Sequence, residues 1–229
     1  MPWAYDEEAV DVTRFFTKLK CSLMPYLYNS AVQATEQGVP MMRAMLLEFP
    51  DDPASELLDR QYMLGDSVLV APVFSEEGDV KYYLPEGRWT HLLTGEVVDG
   101  GKWRKETHDF LSLPLYVRPN SILSFGAENT KVDYDLANDV KLVIYELEEG
   151  AEAHAVVRST TGEAQLLVTA TREADVIELK ASGAGKAFRI TVNGRDSLSV
   201  LDGTAPQPES SEIRVPDWEN EVTIRFKVQ

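Results

Sequence analysis

The sequence predicts a mainly β protein with a short helical start, and three observations carry that prediction. Before Pro40 the apolar residues recur at spacings of three and four, the signature of helix. After Phe74 the chain breaks into short strand-like runs separated by reversals such as PEGR, EEG, TTG and NGRD. Between the two lies PMMRAMLLEFPDDPASELLDRQYMLGDSVLVAPVF, from Pro40 to Phe74, where one texture gives way to the other.

The helical start opens on Asp6-Glu7-Glu8, carboxylates suited to the unpaired N–H groups and positive dipole end of a helix. Val12, Phe16, Leu19, Leu23 and Leu27 then form one apolar stripe. Pro25 lacks a backbone donor, so a kink or a break between two helices is expected around Cys21 to Pro25. Gly38 followed by Pro40 ends the second helical piece. Two such helices cannot bury their stripes on each other alone, so they require a sheet to lie against.

In the central run, Met41 to Phe49 reads as a short buried strand between Pro40 and Pro50. EFPDDP is a loop by its prolines and aspartates, Ala54 to Leu64 reads as a short helix, and Ser67 to Phe74 as a second apolar strand. A first β block follows, with Val80–Leu84 and Trp89–Leu93 across PEGR, a glycine-rich meander through TGEVVDGGKW, and Leu113–Val117 and Ser121–Phe125 around Pro119-Asn120. Gly126 to Asn138 is the expected linker to a second β block. Its candidate strands are Val140–Glu146, Ala151–Arg158, Ala164–Ala170, Val176–Ala181, Ala187–Val192, Glu212–Val215 and Val222–Val228. In the last of these, Val222, Ile224, Phe226 and Val228 alternate with polar residues, and strands at this spacing argue for a β-sandwich.

Composition bounds the function. Across 229 residues, 44% hydrophobic and 26% charged content is that of a globular protein large enough for one or two cores. A formal charge of −16 opposes nucleic acid and anionic membrane as partners. No apolar run approaches the ~20 residues of a membrane span, and MPWAYDEEAV has neither the basic start nor the apolar centre of a signal peptide. Cys21 is the single cysteine, so no intramolecular disulfide is possible and a reducing cytoplasm is the expected location.

Candidate chemistry is sparse. Glu48, Asp51 and Asp52 are neighbouring carboxylates, but a glycosidase needs two carboxyl groups facing each other across a bond. Asp51 and Asp52 read more simply as turn residues bonding their own backbone. His91, His108 and His154 lie far apart and lack the spacing of a zinc site. Cys21, beside Leu23 and Met24, reads as a packed thiol. There is no G-x-S-x-G elbow and no glycine-rich phosphate loop after a strand. Trp89, Trp103, Tyr82, Tyr83 and Tyr116 gather in the first β block, where core packing is the simpler reading and sugar stacking the sharper one. Trp218, after Pro216, suits a loop anchor or a ligand platform. On this reading there is no catalytic residue, no metal site, no cofactor, and no assigned substrate-binding residue.

Several runs resemble family 31 glycoside hydrolases, and among them the bacterial α-xylosidases: PWAYDEEA, FTKLKCSLMPYLYNSA, MRAMLLEFPDDP, DRQYMLGDSVLVAPVF, GDVKYYLPEGRWTHLLTGE and LSLPLYVRPNSIL. The likeness is dense from Pro2 to about Leu123 and general beyond it. It implies a remnant of a (β/α)8 catalytic barrel in residues 1–46, a proximal C-terminal β domain in 47–125, and a distal β-sandwich in 126–229. It further implies that the aspartate nucleophile and acid/base of the parent enzyme lie on earlier barrel strands, with no counterpart in this sequence. Relatives commonly carry glutamate in place of Met1, which suggests an internal start or a deliberate truncation. The expected role is a scaffold without hydrolase activity of its own, joined to the rest of an α-glycosidase or to other subunits, and assembling as a homo-oligomer. Two alternatives stand beside it: a stand-alone carbohydrate-binding module using Trp89, Trp103 or Trp218, and one half of a split α-glycosidase.

Overall fold

Helix α1 spans Glu7–Ser22 and starts where Asp6 accepts a hydrogen bond from the Ala9 N–H at 2.7 Å, satisfying one of the free donors of the first turn. The computed structural model to which these positions belong describes residues 1–203, 205–208 and 211–228. After a one-residue joint at Leu23, α2 runs from Met24 to Gln37 with Pro25 in its first turn, a place where a missing N–H leaves no bond unmade. Gly38 closes α2 in the left-handed conformation at φ 72°. The break expected around Cys21 to Pro25 is this joint.

The two helices have different fates. On α2, Leu23 at its start and Tyr26 and Leu27 within it join Val68, Val70, Leu115, Val117, Leu123 and Val143 in one buried cluster. On α1 only Cys21 is buried, and Phe15 stays exposed.

Strand β1 (Met42–Ala44) and the single turn α3 (Met45–Glu48) replace the one strand expected over Met41–Phe49. An ion pair drives the turn: Arg43 points inward from β1 and meets Glu48 at 2.8 Å, which an extended chain would carry out of reach. The helix expected over Ala54–Leu64 is a 3-10 turn, Pro53–Leu57, followed by strand β2 (Tyr62–Leu64). Strand β3 (Val68–Val70) pairs with β2 across the turn at Gly65. Gly65 has φ 65°, and a Cβ there would lie 2.2 Å from the Tyr26 hydroxyl, so both backbone and space exclude a side chain.

Strands β4 (Asp79–Leu84), β5 (Arg88–His91), β6 (Val97–Asp99), β7 (Lys102–Thr107), β8 (Leu115–Val117) and β9 (Ser121–Phe125) follow. A six-stranded sheet forms in the order β1-β2-β3-β8-β5-β6, and β4 and β7 make a separate two-stranded ribbon. Ribbon and sheet share a core of Met45, Met63, Leu69, Tyr82, Leu84, Trp89 and Tyr116.

The remaining strands are β10 (Val140–Tyr145), β11 (Glu152–Arg158), β12 (Ala164–Glu173), β13 (Val176–Gly183), β14 (Phe188–Val192), β15 (Leu198–Asp202), β16 (Glu212–Val215) and β17 (Glu221–Val228). They form two sheets, β16-β14-β10-β9 and β11-β12-β13-β17-β15, around a core that includes Leu142, Ile144, Val157, Leu179, Phe188, Ile190, Ile224 and Phe226. The fold is mainly β, with stacked sheets preceded by a short helical segment. Among the described residues every strand pair is antiparallel except β10–β14. Those two neighbours are joined through β11, β12 and β13 of the opposite sheet, the long crossover that a parallel pair needs. Strand β15 is absent from the sequence reading because DSLSVLDG carries too little alternation to stand out from a loop.

Candidate functional site

Two polar constellations lie on the first β block, one closed and one open. The closed one is centred on Glu48. Its carboxylate receives Arg43 at 2.8 Å and Arg118 at 3.0 Å. Arg43 spends its other donors on the Pro40 carbonyl and the Gln33 side chain, and the Arg118 guanidinium lies 4.7 Å above the Phe49 ring. One carboxylate shared by two guanidinium groups ties α3 to β1 and to the turn after β8. Asp52 receives the Ala54 N–H at 3.0 Å and so caps the 3-10 turn. Burial first, and then the Asp52 carboxylate, push the Tyr83 phenol up. Asp51 is exposed on the same loop. The three carboxylates are thus brought to one groove of about 580 Å³, which Tyr83 and Glu86 also line.

The histidines stay apart. His91 on β5 packs edge-on to Tyr116, ring centroids 5.0 Å apart. His108 lies between Glu106 and Ser112, each at 3.1 Å, and His154 on β11 meets Glu152 at 2.8 Å. Glu106 also holds Arg104 at 3.0 Å. Burial pushes the Glu106 carboxyl up, and hydrogen bonds from Tyr82, Arg104 and His108 outweigh it, leaving it below its ordinary value. Among the described residues no group of three or more His, Cys, Asp or Glu could hold a metal ion. Cys21 is a buried free thiol.

The aromatics divide sharply. Trp89 has 0% exposure and donates its indole N–H to the Pro85 carbonyl at 2.8 Å. Tyr82 and Tyr116 are buried with their hydroxyls 3.0 Å apart. Trp218 packs edge-on to Phe188 and donates to the Lys186 carbonyl at 3.0 Å, which makes it a loop anchor. Trp103 alone of these residues is 49% exposed. It stands on the outward face of the β4–β7 ribbon, directly opposite Tyr83, and borders the open constellation: a groove of about 370 Å³ that it shares with Asp59, Arg60, Phe74, Asp79 and Lys81. Sequence reasoning flagged Trp103 but missed Asp59, Arg60 and Phe74. The only signal was an Asp-Arg pair in a loop, which nothing in the linear pattern connects to a tryptophan on β7.

Residues 38–123 match the family model described as "Glycosyl hydrolase family 31 C-terminal domain", and residues 135–226 match "Alpha-xylosidase YicI, C-terminal domain". Alpha-xylosidase XylQ of Lactiplantibacillus pentosus is 36% identical over 211 residues, covering 90% of this chain and 28% of that protein. An alpha-xylosidase of Emericella nidulans is 33% identical over 222 residues, covering 93% of this chain and 26% of that protein. A family 31 dextranase of Flavobacterium johnsoniae, solved with glucose, superposes on 99% of this chain and 34% of its own with a TM-score of 0.85 at 22% identity. The chain therefore spans about a quarter of the length of the curated relatives it matches. Fold and matches together define the β-rich C-terminal region of a glycosidase. The chain belongs to glycosyl hydrolase family 31, and its likeness is to the C-terminal domains of the family's α-xylosidases.

Proposed function

We propose that the chain is the C-terminal scaffold of a retaining α-glycosidase of the α-xylosidase type, and that the two catalytic carboxylates lie outside it. Exposure at its helical end carries this reading. Trp3, Tyr5 and Phe15 are exposed on and just before α1, and Met42, Leu46 and Leu47 are exposed on β1 and α3. Large apolar side chains left open at these two places are suited to cover by a partner, and a catalytic barrel is the partner this reading assigns. The carboxylates of the chain support the same view, since Glu48 is neutralised by two arginines and Asp52 caps a turn. Retaining hydrolysis in the parent enzyme would use two carboxyl groups about 5 Å apart, one as nucleophile and one as acid/base. The test is an aryl α-xyloside assay on the purified chain, with no turnover as the expected result. Robust turnover by material free of contaminating glycosidase would overturn the proposal, and activity recovered on adding a barrel-bearing polypeptide would support it.

A further inference from the structure

We infer that the groove beside Trp103 binds a neutral oligosaccharide. The indole is held in place by neighbours on part of its surface and keeps about half of it open, at 49% exposure. Tyr83, its register partner on β4, lies 5.7 Å away at an interplanar angle of 56°, and the Lys81 ammonium sits 4.8 Å from the ring centroid. An indole so oriented and still half open offers a preformed apolar plate to the C–H face of a pyranose. Phe74, 71% exposed, borders the same groove and gives it a second aromatic wall.

The polar groups between the rings favour hydroxyls over cations. Asp59 and Arg60 make no side-chain hydrogen bond or ion pair with any described residue. A carboxylate accepts and a guanidinium donates in parallel pairs, the arrangement that adjacent sugar hydroxyls match. Asp59 and Asp79 face Arg60 and Lys81, and Asp79 is also paired with Lys105 at 3.3 Å, so the groove lacks the acidic excess of a chain whose net charge is −16. That balance disfavours a cationic occupant. The volume falls at the small end of the roughly 300–1,000 Å³ range of small-molecule sites, enough for a short saccharide lying along the wall.

The inference rests on the proposed α-xylosidase reading only for the choice of one probe. The test titrates the whole chain, in a Trp3→Phe background that removes the other exposed indole, with an α-xylosyl-glucose disaccharide and with isomaltotriose. Tryptophan fluorescence and calorimetry are both followed. The expected result is saturable binding of at least one sugar in the millimolar range, weakened at least tenfold by Trp103→Ala and several-fold by Arg60→Ala. The Trp218→Phe variant should bind as the parent does. Two results would overturn the inference: no saturable binding of either sugar up to tens of millimolar, or undiminished binding by a Trp103→Ala chain whose circular dichroism matches the parent. Should Trp103→Ala fail to fold, Phe74→Ala and Arg60→Ala carry the same expectation of weakened binding. Because no turnover is measured, the two proposals fail separately. Hydrolysis by the chain sinks the scaffold reading alone, and absent binding sinks this one alone.

Discussion

Glu48 pairs with two guanidinium groups at once, and the pairing is asymmetric. The Arg43 side chain is 8% exposed and that of Arg118 is 34% exposed. Removing Glu48 strands Arg43 without its counter-charge in the interior, whereas removing Arg118 leaves Glu48 still paired. Glu48→Ala is therefore expected to cost about 3 kcal/mol of unfolding free energy, against about 1 kcal/mol for Arg118→Ala. Urea denaturation of both variants checks the order, and equal losses would contradict it. Glu48 was visible in the sequence as a carboxylate in a proline-flanked loop. Its role was not, because Arg118 lies 70 positions away and no local pattern links them. Trp103 shows the same limit from the other side, since alternation could place Tyr82 and Leu84 inward on β4 but could not say what gathers around an outward ring.

At the scale of the element, the turn after β5 is held by a neutral histidine. The His91 Nε2–H donates to the Leu113 carbonyl at 3.2 Å, and Nδ1 accepts from the Thr94 N–H at 3.3 Å. Protonation would set an Nδ1–H against the Thr94 N–H, donor against donor. Burial lowers the pKa of His91 below its ordinary 6.5, overcoming Glu106 and Glu96, which favour the cation, while His108 adds to the lowering. The unfolded chain then takes up a proton at a higher pH than the folded chain does. Stability from this group is complete above pH 6.5 and is lost as pH falls from there through the folded value. Thermal midpoints should accordingly decline between about pH 7 and pH 5, with a shallower decline in His91→Gln. An identical slope in the variant would refute the assignment. Elements long enough to show a period, such as α1, α2 and β17, were legible in the sequence. The short ones around the central run were not, because three residues carry too few apolar positions to tell strand from turn, and there the ion pair of Arg43 decided the outcome.

For the whole molecule, the exposed apolar residues about α1, β1 and α3 make association the expected behaviour of the isolated chain. Light scattering should report species larger than the monomer, and Phe15→Glu combined with Leu46→Glu should shift the population towards monomer. A clean monomer for the parent chain would contradict this. Layered β architecture was readable from turn spacing, but the parallel β10–β14 pair was not. Its partners are separated by three strands of the opposite sheet, and pairing at that distance leaves no trace in local alternation.

Strand β9 follows β8 of the six-stranded sheet along the chain, yet its hydrogen bonds run to β10 of the sandwich, from Ser121↔Tyr145 to Phe125↔Lys141. The first β block thus lends the second an edge. A polypeptide cut just after Phe125 would take that strand away and bare the flank of β10, an open row of donors and acceptors ready to recruit another chain. The two blocks are therefore poor interchangeable cassettes: grafting the sandwich onto another protein requires carrying β9 with it.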